Sequence, residues 1–226
     1  MAHARTQGVR HAGLSWLWPI AVGLAACSTT PVANTPVLVT AAPAEIHAYF
    51  SNTGRKVLTF AGYSGSGYEN EAAMLAAADR VLDDFDPKKT IVNIGATPDG
   101  IGAVYALAKR KGFETTGIVS TQARQYAASP QVDRVFYVED ATWGGYLEGS
   151  RELSPTSSAM VAVSDVMVAI GGGAVARDEI LEAKRLGKDV RFIAADMNHS
   201  RALETAARKG LPAPTDFRGA VHEMFR

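Results

Sequence analysis

Arg177, Asp178 and Glu179 follow three consecutive glycines, Gly171, Gly172 and Gly173, in the stretch VMVAIGGGAVARDEI. Glycine lets a backbone turn with positive φ and lets a ligand approach its amides. A helix opening behind it adds unpaired N–H groups and a positive dipole end. An anion held there could be clamped by Arg177, while Glu179 orients a ribose hydroxyl or a water and serves as acid or base. Two other stretches repeat the layout of apolar run, glycine-rich bend and helix start. GYSGSGYENE at 62–71 offers Ser64, Gly65, Ser66 and Gly67, and GATPDGIG at 95–102 offers Gly95 and Thr97. Together the three bends describe a rim of main-chain amides suited to a phosphorylated small molecule or nucleotide. Each alone is also what a tight strand-to-helix turn requires.

Neighbouring side chains modify that picture. Glu69 and Glu71 favour a helix start by themselves and would repel a phosphate, so the anion is expected at Gly171–Gly173 and a sugar hydroxyl or plain turn at 62–67. Thr156, Ser157 and Ser158 could donate hydroxyls to the anion or cap a helix. Arg124, just after an apolar run, is the other cation near the rim, with a surface arginine as the alternative. Trp143 and Tyr146 flank two glycines in EDATWGGYLEG; such a loop can stack an aromatic on a base, close the core, or meet a second subunit of a homo-oligomer. Asn93 and Asp99 border the second bend as turn or cap residues. At 100° per residue, Arg177 and Glu179 flank the inward stripe of their helix and Asp178 points to solvent.

Several chemistries are excluded or weakened. No G-x-G-x-x-G follows the first apolar run, and no acid ends the second, which argues against NAD. No G-x-x-x-x-G-K-[ST] is present, so a P-loop is absent. GYSGS misses the G-x-S-x-G elbow at Ser66, leaving a Ser64 hydrolase with His199 or His222 as base the lesser alternative. The histidines are too scattered for a metal site, and no cofactor is expected.

The elements that must position these residues alternate in kind. Nearly continuous apolar runs at 57–62, 90–95, 115–120, 134–138, 166–170 and 190–195 read as strands buried on both faces. Between them Ala72, Leu75, Ala78, Leu82 and Phe85, then Ile101, Val104 and Ala108, then Ala176, Ile180, Ala183 and Gly187 recur at helical spacing. Gly112, Gly187 and Gly210 follow basic final turns as helix stops. The alternation predicts a doubly wound, mostly parallel α/β sheet of about six strands with helices on both faces, a Rossmann-like fold. Ligands of such sheets lie beyond the carboxyl ends of the strands.

The chain has 226 residues, 47% hydrophobic and 20% charged, with 23 basic and 23 acidic side chains. That suffices for one core, and the even spread of basic residues argues against nucleic acid as a partner. Arg5 and Arg10 precede the apolar run GLSWLWPIAVGLAA, which ends at the lone cysteine, Cys27. A basic start and a short apolar run read as a secretory signal over 1–26, and LAAC resembles the lipobox of bacterial lipoproteins, in which the cysteine is lipidated. This predicts a membrane anchor in the cell envelope, on an outer membrane facing the periplasm if the cell has one. STTPVANTPVLVTAAPAE has no period that buries a face, so 27–54 is expected to be a flexible tether, 55–210 the domain and 211–226 a tail.

Apolar strand, triple glycine and acid on the opening turns of a helix, with SDVMVAIGGG and GYSGSG as support, resemble the SLOG superfamily. This Rossmann-like nucleotide-binding group includes the LONELY GUY phosphoribohydrolases and DprA. The likeness spans roughly 55–200 in layout. LONELY GUY enzymes carry P-G-G-x-G-T-x-x-E, whose amides bind a nucleotide phosphate and whose glutamate assists cleavage of the N-glycosidic bond; the resemblance places Gly171, Gly172, Gly173 and Glu179 in those roles. Ile170 stands at the proline when the glycines are matched first to first, and Val175 and Ala176 replace Gly-Thr. SPTSSAMVAVSD occupies the region of the family's catalytic arginine, with Arg151 somewhat too early. The resemblance therefore implies ligand binding more than hydrolysis; the alternative is a non-enzymatic envelope lipoprotein using the domain as an interaction or sensor module.

Overall fold

The computed structural model describes residues 35–226. The expected signal segment and Cys27 lie outside them. Seven strands, β1 (Val37–Thr40), β2 (Lys56–Gly62), β3 (Thr90–Ile94), β4 (Glu114–Ser120), β5 (Arg134–Val138), β6 (Val166–Ile170) and β7 (Asp189–Ile193), form one sheet in the order β1-β5-β4-β3-β2-β6-β7. Every pairing is parallel. The expected doubly wound, Rossmann-like α/β fold is the fold observed.

Parallel strands need covered faces, and the side chains alternate accordingly. Leu58, Phe60, Val92, Ile94, Val166, Val168 and Ile170 point into one layer with helices α2 (Glu71–Asp83) and α3 (Val104–Arg110). Val57, Ala61, Ile91, Met167 and Ala169 point into the other, against α1 (Pro43–Thr53), α4 (Pro155–Val163) and α5 (Ala174–Arg185). Asn93 is not a turn residue: it is buried in mid-strand, its amide bonded to the hydroxyls of Thr59 and Thr116 on either side. From β2 the chain adds β3, β4 and β5 outward, then returns to place β6 on the other flank of β2. The order therefore reverses between β2 and β6.

The tether expected over 27–54 is corrected where the structure describes it. β1 pairs with β5, and α1 buries Ile46 and Phe50. VLVT is too short to show a period, and only pairing with β5 gives it a partner. The tail expected at 211–226 is corrected too: helix α7 (Gly219–His222) plants Val221, 0% exposed, against the second layer. Helix α6 (His199–Arg208) precedes it and is mostly exposed. Among the described residues no helix is long and apolar enough to cross a membrane.

Candidate functional site

The loop after β6 does not form the expected open rim. Gly171 and Gly172 have φ of 58° and 128°, as a left-handed turn demands of glycine. Their surroundings are already filled. Tyr63 and the Ala195 carbonyl crowd Gly171, whose N–H donates to Ile193 O at 2.9 Å; Val221 crowds Gly172, whose carbonyl accepts from the Val221 N–H. Burial pushes the Tyr63 hydroxyl up to about 12, so it stays a donor, to Arg218 O at 2.7 Å. Side chain and C-terminal segment thus occupy the crevice at the point where the strand order reverses. Of the three glycines only Gly173, at the N-cap of α5, faces open space.

A cleft of about 660 Å³ opens instead over the carboxyl ends of β2 through β5. Ser64 and Gly65 border it from the β2 loop, Gly95 and Thr97 from the β3 loop, and Trp143 from the loop after β5. Thr156 and Met160 of α4 and Val175, Ala176 and Glu179 of α5 form another wall. Six of the residues expected at the rim therefore meet: Ser64, Gly65, Gly95, Thr97, Trp143 and Glu179. Ser66, Gly67, Arg124, Arg177 and the three glycines do not line it. Gly67 sits beneath Arg201 at the back of its turn.

The loops are tightly set. Ile101 N–H donates to Tyr63 O at 2.7 Å, tying the β3 loop to the β2 loop. Tyr68 Oη donates to Ile170 O at 2.7 Å beneath them. Ala96 is held at φ 58°, a left-handed conformation unfavourable for a residue with a Cβ. Its N–H meets Tyr105 Oη at 3.1 Å and its carbonyl accepts from Ser129 N at 2.9 Å, so the surroundings enforce the turn. Local strain of this kind gathers at binding and catalytic loops.

Glu179 is 6% exposed yet lines the cleft. Its Oε1 accepts from Ser157 Oγ at 2.7 Å, and Ser157 Oγ accepts from the Gly145 N–H at 2.8 Å. Burial pushes the carboxyl up to about 7; the Ser157 donor opposes this and the charge of Asp178 adds to it. Among the described residues no Lys, Arg or His lines the cleft to pull the value back. At neutral pH the group is therefore poised between donor and acceptor, as general acid–base work requires.

Asp178 corrects the helical-wheel expectation. It is buried, because the loop after β5 folds over α5 and donates Tyr146 N–H to Asp178 Oδ2 at 3.0 Å. Arg177 spends its guanidinium on Asp178 Oδ1 at 2.9 and 2.7 Å. Arg124 bonds Thr40 and lies over the Tyr137 ring, 4.8 Å from its centroid. The Thr156–Ser158 cluster divides: Ser154 is the N-cap of α4, Ser157 holds Glu179, Ser158 is exposed, and Thr156 faces the cleft. Burial alone would raise the Asp140 carboxyl, but N–H donors from Thr156 and Thr142 hold it below its ordinary range, which anchors the start of α4.

Tyr126 was not visible as a site residue. It pairs with Trp143 at the mouth, ring centroids 6.0 Å apart, the two 62% and 54% exposed. Its only sequence signal is a lone aromatic between polar Arg124–Gln125 and two alanines, in RQYAAS. Among the described residues Thr156 Oγ1 is buried without a hydrogen-bond partner of ordinary geometry, and no cluster of ligating side chains could hold a metal.

No protein-family model matches the chain, nor does any curated protein. Solved structures resemble it in part. TM1055, a structural-genomics target, is 24% identical over 60% of this chain and 72% of its own, with a TM-score of 0.44. Two structures of the molybdenum cofactor carrier protein from Chlamydomonas reinhardtii give 20% over 61% and 76%, and 16% over 76% and 96%, each with a TM-score of 0.45.

Proposed function

We propose that this chain is a SLOG-like binder of a nucleoside- or nucleotide-type small molecule, taken up in the cleft over β2–β5 with its planar heterocycle toward the Tyr126–Trp143 pair. The observation that carries the reading is Glu179: a buried carboxyl, poised near neutrality, in the wall of an otherwise largely apolar cleft. Pockets of this kind, mostly apolar with a few convergent polar groups and one perturbed acid, are the usual form of a small-molecule site. The exposed aromatic pair supplies flat surface for stacking.

Glu179 could protonate a departing base and so assist hydrolysis of an N-glycosidic bond. A binder without turnover is the second reading. It is favoured by the largely apolar lining, in which among the described residues Glu179 has only Asp99, at the edge, as a second acid or base to activate an attacking water. Calorimetric titration with a panel of nucleosides and nucleotides, followed by chromatography for released base, tests both. Binding weakened about tenfold or more by Trp143→Ala, a loss of about 1.4 kcal/mol, is expected. A panel that produces no heat, or binding indifferent to both Trp143→Ala and Glu179→Gln, would remove the reading. Base release that persists in Glu179→Gln would remove the acid role alone.

Lipid anchoring at Cys27 and residence in the cell envelope belong to the same proposal, on the strength of LAAC behind a basic, apolar leader. Mass spectrometry of the N-terminal peptide from membranes should find an acylated Cys27; an unmodified chain beginning at Met1 would overturn it.

A further inference from the structure

Two buried polar groups of the cleft have bonding capacity to spare. Thr156 is 4% exposed and lines the cleft, and among the described residues its Oγ1, although beside the Asp140 carboxyl, completes no hydrogen bond of ordinary geometry. Glu179 uses Oε1 for Ser157, while among the described residues nothing bonds its Oε2, which is open to the cleft and not sealed in the core. Buried polar atoms are seldom left so, and an unpaired one in a cleft wall points to a partner that arrives with the ligand. A hydroxyl and a carboxyl can between them serve a donor and an acceptor.

The charges bordering the cleft are both acidic. Asp99 stands at its edge and Glu179 in its wall, and among the described residues no Lys, Arg or His lines the cleft beside them. The two arginines nearest by position are committed elsewhere, Arg177 to Asp178 and Arg124 to Thr40 and the face of Tyr137. The Gly171 amide is spent on Ile193 O. What remains for an anion is the first turn of α5 and the main-chain amides of Ser64, Gly65 and Thr97, none of which carries a full charge. A helix end carries only about half a unit of charge, against a phosphate of nearly two and the neighbouring carboxylates.

We propose that the cleft takes the unphosphorylated ligand, a free nucleoside or base: a neutral planar heterocycle whose hydrogen-bonding edge meets Glu179 and Thr156 while its flat face meets Trp143. The proposal rests on the binding function put forward above and narrows its ligand class. Charge repulsion, not shape, then separates a nucleoside from its own 5′-monophosphate.

The test is isothermal titration of the purified full chain at about pH 8.5, where the Glu179 carboxyl, raised to about 7, is ionised, at low and high salt, with adenosine, guanosine, cytidine and uridine, their 5′-monophosphates and inorganic phosphate. At least one nucleoside should bind ten or more times tighter than its monophosphate. The gap should narrow as salt rises, because screening weakens the repulsion. Glu179→Gln, which removes the charge and keeps the shape, should weaken the nucleoside and strengthen the monophosphate; a merely structural role would move both the same way. A monophosphate that binds as well as its nucleoside, or inorganic phosphate that competes, overturns the inference and leaves the cleft's binding function standing. Silence from both series removes that function and this inference together.

Discussion

Because burial lifts the Glu179 carboxyl from its ordinary 4.5 to about 7, the native chain retains a proton that the unfolded chain releases as pH rises between those values. Stability attached to this group is therefore full below about pH 4.5 and lost as pH rises through about 7. A shift of this size corresponds to about 3 kcal/mol once the group is ionised in both states. Glu179→Gln cannot titrate, and its carbonyl can still accept from Ser157. Denaturant unfolding should show variant and parent equal near pH 4 and the variant more stable by about 3 kcal/mol at pH 8. Parallel stability profiles would place the titration elsewhere. Glu179 was legible because an acid behind glycines at a helix start is a recognisable pattern. Its partner was not: Ser157 is reached across 22 residues by the pairing of two helices. Asp178 misled for the same reason, since the loop that buries it comes from 32 residues away and helical periodicity carries no trace of it.

Between elements, loop against loop is what shapes the cleft. Gly100 has φ 59°, and a Cβ there would run into the carbonyl oxygens of Tyr63 and Ser64. Backbone cannot yield as a flexible side chain can, so Gly100→Ala must part the β2 and β3 loops and break the Ile101–Tyr63 hydrogen bond. The expected cost is about 2 kcal/mol or more, with ligand affinity falling alongside. Gly54→Ala is the control, for it shares a positive φ of 62° but meets nothing; it should pay for the conformation alone and leave binding intact. Equal losses in the two variants would mean that the loop contact does not define the cleft. Six of the seven strands were readable as short runs rich in apolar residues, most of them because the sheet buries both faces; β7, at the edge, is only half-buried and carries Asp189 and Arg191. The closing of the Gly171–Gly172 turn was not, because Tyr63 and Val221 reach it from segments far before and far after it in the sequence.

At the scale of the molecule, the question is where the folding unit begins, and composition alone pointed past its first strand and helix. β1 supplies the outer partner of β5, and α1 lays Ile46 and Phe50 into the second layer, with Tyr49 edge-on to Phe136 at 5.1 Å. Proline, alanine and threonine around them hide a segment whose order comes from docking onto β5 and α4, not from its own periodicity. Two buried side chains of this size contribute about 5 kcal/mol together, comparable with the whole margin of a typical domain. Their removal would also bare the edge of β5, a template for pairing between chains. A chain starting at Arg55 should accordingly be aggregated or lack a cooperative melt. One starting at Thr35 should keep both its melting temperature and its ligand. Should the chain from Arg55 melt as the longer one does, residues 35–54 would be a tether after all, and the sheet would be complete with six strands.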